Sequence, residues 1–241
     1  PAIPSAGRRS PRSSRRRRRI RARYRANRSA AIRNPLHRSD QRQRALAIQR
    51  WDDHRYYHHS LVNQSLHLVS ATSFLCSYVL MFINPAIAAL VAWLVSMTTR
   101  QAGHFFFEPK GYDTVNQATH EHKEAIKVGY NLRRKIVLLS IWAASPLLLL
   151  LEPTFFGAFT PHTNAAEFWT HVGEIWLIVG LGGLLFRTVH LFYLKDVQTG
   201  LVWCTKILTD PFHDVKLYHK APLYLIRGER PEPPTGTVAP H

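Results

Sequence analysis

The chain has 241 residues, is 46% hydrophobic and carries a formal net charge of +17, with a mean hydropathy of -0.17 that reads as soluble. That average hides a division: residues 1–50 hold 17 Arg, no Lys and a single acid, Asp40, so residues 51–241 are close to neutral. The basic balance therefore belongs to a tail and gives no ground for nucleic-acid binding by the folded part. The absence of any G-x-x-x-x-G-K-[ST] or G-x-S-x-G pattern or Gly-rich nucleotide loop argues against phosphate-cofactor chemistry.

Residues 1–50 are Arg- and Ser-rich, low in complexity and without apolar periodicity, which predicts disorder. Three explanations fit that composition: a basic arm for nucleic acid or anionic lipid, an organelle-targeting segment, or an extension from a misplaced start, the last being favoured by an all-Arg run padded with Ser, Pro and Ala. No apolar core follows the positive run, so no signal peptide is expected. Ala45 to His59 (ALAIQRWDDHRYYHH) reads as a polar lead-in, with Trp51, Tyr56 and Tyr57 at headgroup depth and Asp52-Asp53 as a helix cap.

Residues 51–108 predict a transmembrane hairpin. Leu61 to Ile83 holds no charged residue, and with the apolar run after Pro85 it is long enough to cross a hydrocarbon core of ~30 Å. Asn84-Pro85 is the turn signal between the two runs. On the first helix His59, Asn63 and His67 fall at i, i+4, i+8; on the second, Arg100, His104 and Glu108 do the same. Counted from the turn, antiparallel packing places His67 and His104 at depths differing by about 4–5 Å at a rise of ~1.5 Å per residue. Two imidazoles and a carboxylate suit Fe, Zn or Cu, and with open positions point to non-haem Fe(II). The plain alternative is a buried histidine bonded to a backbone carbonyl, with Arg100 and Glu108 as interfacial charges.

These residues resemble a known family. His58, Asn63 and His67, followed by Gln101-Ala102-Gly103-His104 and Phe107-Glu108, are similar to the paired motifs of the 2-hydroxy fatty acid dioxygenase family, small polytopic membrane proteins of fatty acid α-oxidation. The resemblance covers roughly residues 51–108. It implies an Fe(II)-dependent enzyme that uses O2 to shorten a 2-hydroxy acyl chain by one carbon. In that light His67 and His104 are the expected iron ligands, with His58 or His59 and Glu108 as further candidates. Asn63 is expected to orient a ligand or substrate, and Arg100 to receive a substrate carboxylate. Beyond Glu108 the chain departs from the family pattern, with a polar segment from Lys110 to Lys135 and a long C-terminal extension.

Residues 109–135 read as a cytosolic amphipathic helix. It is expected to begin after the stop Pro109-Lys110-Gly111 at a capping box, Thr114-x-x-Gln117. His120 and His122 on it point about 200° apart, so at most one can ligate, and a solvated polar face with Glu121, Lys123 and Glu124 is the simpler reading. Residues 136–194 predict a second hairpin. Ile136 to Leu151 reaches crossing length only by continuing past Pro153 to Phe155-Phe156 or by tilting little. Phe168 to Leu194 is a full span whose Gly180, Gly182 and Gly183 suit close packing. His190, three residues after Arg187, is at most an outer partner of the site, and His162, His171 and Glu174 belong to the opposite membrane side. Residues 195–228 read as an interfacial segment broken at Asp210-Pro211, in which His213-Asp214 is a weak pair signal. Residues 229–241 are a Pro-rich disordered end. Cys76 and Cys204 imply neither a disulfide framework nor a zinc site.

The expected fold is thus an all-α polytopic membrane protein of about four transmembrane helices in two hairpins. Lys and Arg crowd the N-terminal flank and residues 100–135 and 195–230 but are absent from 84–85 and 152–167, placing both termini in the cytoplasm. The membrane is a bacterial inner membrane or the endoplasmic reticulum. Expected partners are a lipid or fatty acid and O2. Two other functions compete: a di-iron histidine-box hydroxylase or desaturase built on His54, His58 and His59, and a non-enzymatic scaffold or transporter whose histidines pack or titrate.

Overall fold

The structure is a computed structural model that describes residues 35–108, 111–113, 116–129 and 132–229. Residues 1–34 and 230–241, for which disorder is expected, lie outside them. The chain separates into two units, Pro1–Arg44 and Ala45–His241. The second holds the core and the candidate site.

Among the described residues the protein is all-helical, with no strand and one isolated antiparallel bridge between Asp113 and Ala118. The elements are α1 (Pro35–Tyr57), α2 (Leu61–Leu80), α3 (Pro85–Val91), a π-helical segment (Ala92–Met97), α4 (Thr98–Phe106), α5 (His120–Ile126), α6 (Leu132–Leu151), α7 (Ala165–Leu194), α8 (Val197–Tyr218) and α9 (Ala221–Arg227).

Side-chain caps set where these helices start. Asn84 accepts from the Ile87 amide at 3.1 Å with Pro85 in the first turn, so the turn predicted at Asn84-Pro85 is formed. Asn164 accepts from Glu167 N while the Glu167 carboxylate accepts from Thr163 N, a reciprocal box that opens α7 three residues before the expected Phe168. Other starts differ from expectation. Helix α1 begins at Pro35, so Pro35–Arg50 is helical where disorder was expected, and Asp52 and Asp53 lie inside the helix rather than capping it; Asp52 pairs with Arg55 and Asp53 with Lys206. Helix α2 begins after Ser60, whose hydroxyl accepts from Asn63 N. His59 therefore precedes the helix and does not share the face of Asn63 and His67. Thr119, not Thr114, caps α5, after a turn in which Gln117 has φ 49°; Thr114 and the stop at Pro109-Lys110 lie outside the described residues.

Helix α6 stops at Leu151 and the chain turns through Phe155 and Phe156 at positive φ, so of the two ways to reach crossing length the continuation past Pro153 does not form. Helix α8 runs through Asp210-Pro211, where a break was expected. Proline costs a helix one hydrogen bond, and here Arg50 and Lys206 hold the preceding Asp210 in place.

Helix α2 folds back along α3, the π segment and α4; α7 packs against α3, α6 and α8, and α8 returns against α2. The apolar core gathers Ala89, Trp93, Leu149, Val172, Ile175 and Trp176. Trp93 stacks on Trp142 at 5.5 Å and donates its indole N–H to Trp176 O at 2.9 Å, while Trp176 donates to Ser145 Oγ at 2.8 Å. The tight helix contact falls at Gly173, where a Cβ would stand 2.4 Å from Ala86 O; of the glycines expected to pack, Gly180 lies near Trp93 and Gly182 borders open space.

Polarity is distributed inside out. His67, Asn63, Ser70 and Ser96 are fully buried, whereas Val79, Phe82, Ile83, Leu147, Leu151, Ile178, Leu181, Leu185 and Phe186 are exposed. One helix among the described residues, α7, is long and apolar enough to cross a membrane, and only 28% of its apolar window is buried. The apolar part of α6, Lys135–Leu151, is shorter.

Gly173→Ala is expected to destabilise the protein by about 1–3 kcal/mol, the usual cost of forcing a methyl into a filled contact. Gly182→Ala, which meets open space inside the same helix, should not destabilise and should add up to about 1 kcal/mol through helix propensity. Thermal midpoints in one detergent, compared side by side, check both.

Candidate metal centre

The site forms where the break between α1 and α2, the first turns of α2 and the end of α4 meet under α8. His58 lies in the short break after Tyr57, His67 on α2 and His104 on α4. Their ligand atoms all lie within 4.8 Å of one another, and among the described residues this is the group able to hold a metal ion. The ring centroids are 4.0 Å apart for His58–His67, 5.0 Å for His67–His104 and 5.6 Å for His58–His104. The depth match expected of His67 and His104 is thus present, and the third histidine is His58 rather than His59.

The nitrogens are sorted by their partners. His104 Nδ1 is 2.9 Å from Glu108 Oε2, and His58 Nδ1 is 2.8 Å from the Tyr218 hydroxyl. His58 Nε2 and both nitrogens of His67 are buried without a hydrogen bond. His67 Nδ1 stands 3.9 Å from Asp214, beyond hydrogen-bonding reach. Buried imidazole nitrogens in native proteins are almost always satisfied; one ring nitrogen from each of the three histidines, all within 4.8 Å of one another, could ligate a single cation and so satisfy His58 Nε2 and one nitrogen of His67. Burial, reinforced by His67, holds His58 well below the usual histidine range, so it is a neutral ligand near pH 7.

Packing of the two motif halves explains their spacing. Asn63 donates to Tyr57 O at 2.7 Å, holding the end of α1 against α2, and Gln64 donates to His58 O at 2.9 Å. The other face of Asn63 meets Gly103: a Cβ there would lie 2.2 Å from Asn63 Oδ1 and 3.3 Å from His67 Cδ2. Glycine before His104 is what lets α4 approach closely enough for the rings to meet. The π-helical turn Ala92–Met97 comes immediately before this stretch, and such turns recur at functional sites.

The remaining predicted residues are placed as follows. Arg100 pairs with Asp214 at 3.2 Å and Asp210 at 4.0 Å. Its guanidinium joins α4 to α8 through these two acids. Glu108 sits outside the helix end and orients His104, with Lys127 3.8 Å from its other oxygen. His59, partly exposed, lies 3.5 Å from Asp113. His54 meets the Tyr218 hydroxyl at 3.1 Å and is not in the three-histidine group. His120 and His122 are exposed as expected, but Lys123, next after His122, is fully buried and pairs with Asp113 at 3.0 Å. Burial raises Asp113, yet hydrogen bonds from Asn116 and the pairing with Lys123 outweigh it and hold the carboxyl at about 2. Arg187 donates to Val128 O and Gly129 O and contacts His190, fixing a loop rather than the site. His171 stacks on Phe159 away from the group. Cys76 and Cys204 are free thiols.

Sequence reasoning missed a buried charge network. Arg50, Arg100 and Lys206 face Asp53, Asp210 and Asp214, three charges of each sign. Burial works against the Lys206 charge, but Asp53 and Asp210 raise its pKa above the usual lysine value. The signal was available: Lys206, Asp210, Asp214 and Tyr218 repeat every four residues, one ridge of α8. The dipeptide His213-Asp214 hid it.

Comparison with family models, curated proteins and solved structures finds no match to this chain. The case for a bound metal rests on the chemistry of the site itself.

Gly103→Ala should weaken metal binding at least ~10-fold, because Asn63 and His67 must shift to admit the methyl and such supports of a ligand typically carry that much affinity. Titration with Co(II) against the unaltered chain measures it; equal affinity would contradict the packing account.

Proposed function

We propose that His58, His67 and His104 bind one Fe(II) and that the protein is a membrane-embedded dioxygenase acting on 2-hydroxy fatty acids or a related lipid. The observation that carries this is the meeting of three imidazoles whose ligand atoms lie within 4.8 Å of one another, with buried nitrogens of His58 and His67 left without a hydrogen bond. Three neutral histidines suit iron, zinc or copper, and it is the motif resemblance over residues 51–108 that favours iron. Bound there, Fe(II) would supply the one-electron chemistry that makes O2 reactive towards carbon.

The chain's own residues perform the supporting work. Glu108 accepts the Nδ1–H of His104, which fixes the tautomer and leaves Nε2 free to ligate. Asn63 and Gly103 set the distance between the two helices that carry His67 and His104. Lipid access is supported by the polarity pattern: large apolar side chains of α2, α3, α6 and α7 face outwards while the polar residues line the interior. In this reading these helices lie in the bilayer and the site is at the end where α1, α5 and α8 gather. A long-chain substrate then reaches the histidines from the lipid with its carboxylate at the polar surface.

The test is iron content of the detergent-purified protein after anaerobic Fe(II) loading, with 2-hydroxy acid and O2 consumption measured in parallel. About one iron per chain is expected, lost in His104→Ala and His58→Ala and kept in His59→Ala. Two irons would favour a histidine-box hydroxylase, and none would remove the enzyme reading.

A further inference from the structure

The metal reading of the three histidines leaves open what holds His58. His67 and His104 lie within helices, whereas His58 lies in the break between α1 and α2, where His54 O and Gln64 hold its backbone and the ring is left to other contacts. Its Nδ1 meets the hydroxyl of Tyr218, the last residue of α8, which is 160 positions away in sequence and among the most buried side chains of the protein. The two rings stand edge to face at 85° with centroids 5.7 Å apart. That same hydroxyl is 3.1 Å from His54 Nδ1.

Proton accounting gives this contact a direction. A hydroxyl has one proton to donate and lone pairs to accept. His58 Nε2 is the unpartnered nitrogen, so in the neutral ring the proton sits on Nδ1 and that N–H donates to Tyr218 Oη. The tyrosine proton is then left to donate to His54 Nδ1. His58 Nδ1–H, the tyrosine hydroxyl and His54 Nδ1 are then matched, and His58 Nε2 keeps its lone pair free beside His67 and His104. Asp214, one turn before Tyr218, pairs with Arg100 on α4, so the same helix also braces the segment carrying His104.

We infer that Tyr218 is a positioning residue of the metal centre, holding His58 in its ligating tautomer and orientation, and that α8 is therefore part of that centre. This assigns to the C-terminal helix a role that the motif-bearing hairpin alone does not supply. It rests on metal binding by the three histidines.

The experiment is a Co(II) titration of the full chain in detergent, comparing wild type, Tyr218→Phe, His58→Ala and the double variant, with helical content and thermal midpoint followed in each. Tyr218→Phe keeps the ring and removes only the hydroxyl. Its Co(II) affinity should fall ~10–100-fold, the usual cost of losing a group that orients a ligand. In the His58→Ala background the same change should cost nothing more. Wild-type affinity in Tyr218→Phe, or an equal further loss in the double variant, overturns the inference, since a purely structural tyrosine would act without His58. A second reading needs no change at position 218: Co(II) added to wild type should perturb the tyrosine ultraviolet band, and the same metal occupancy in His58→Ala should not. A band that stays unmoved in wild type at full occupancy overturns it as well. A folded wild type that takes no Co(II) removes the metal reading together with this one, whereas the other failures leave metal binding standing.

Discussion

Three imidazoles with ligand atoms within 4.8 Å of one another, and no hydrogen bond to His58 Nε2 or to either nitrogen of His67, are the constraint around which this protein is built. Leaving a buried polar nitrogen unpaired costs about 1–3 kcal/mol, so a fold that gathers three such nitrogens needs compensation from the rest of the structure or from a bound cation. The surrounding residues act to keep the arrangement. Ser60 starts α2 so that Asn63 and His67 share a face, Gly103 lets α4 approach, and Glu108 and Tyr218 occupy the outer nitrogens of His104 and His58. A site meant only to pack would more simply be filled with leucine.

The charge network beside it is the second condition. Arg50, Arg100 and Lys206 are balanced by Asp53, Asp210 and Asp214, and the pairs join α1, α4 and α8. Buried ion pairs add little net stability, but removing one partner strands the other at a cost of about 3–5 kcal/mol. Their value here is registry: they fix which turn of α8 lies over the histidines. Arg100 belongs to this network, which is why a substrate-binding role for it does not follow from its place beside His104 in sequence.

How much was legible beforehand depended on whether a feature was local. The all-α class, the turn at Asn84-Pro85, the long apolar α7 and the approach of His67 to His104 all follow from periodicity, cap chemistry and counting along a hairpin. The choice of His58 over His59 did not, because it turns on Ser60 beginning the helix one residue later than the i, i+4, i+8 pattern assumes. The role of α8 was hidden for a different reason. A lysine, two aspartates and a tyrosine at four-residue spacing look like a solvated face until α1 and α4 supply their opposite charges, and those lie more than a hundred residues away in sequence. Lys123 was misplaced in the same way: Asp113, which buries it, belongs to a turn that the helical pattern of 109–135 did not foresee.

The most direct test of the central claim is X-ray absorption at the iron edge of the anaerobically Fe(II)-loaded protein. The account predicts one iron per centre with the outer-shell scattering of about three imidazoles, a ligand set of mixed nitrogen and oxygen, and no neighbouring iron. A spectrum without imidazole scattering, or with a second iron at ~3.5–4 Å as in two-metal sites, would contradict a single metal held by His58, His67 and His104.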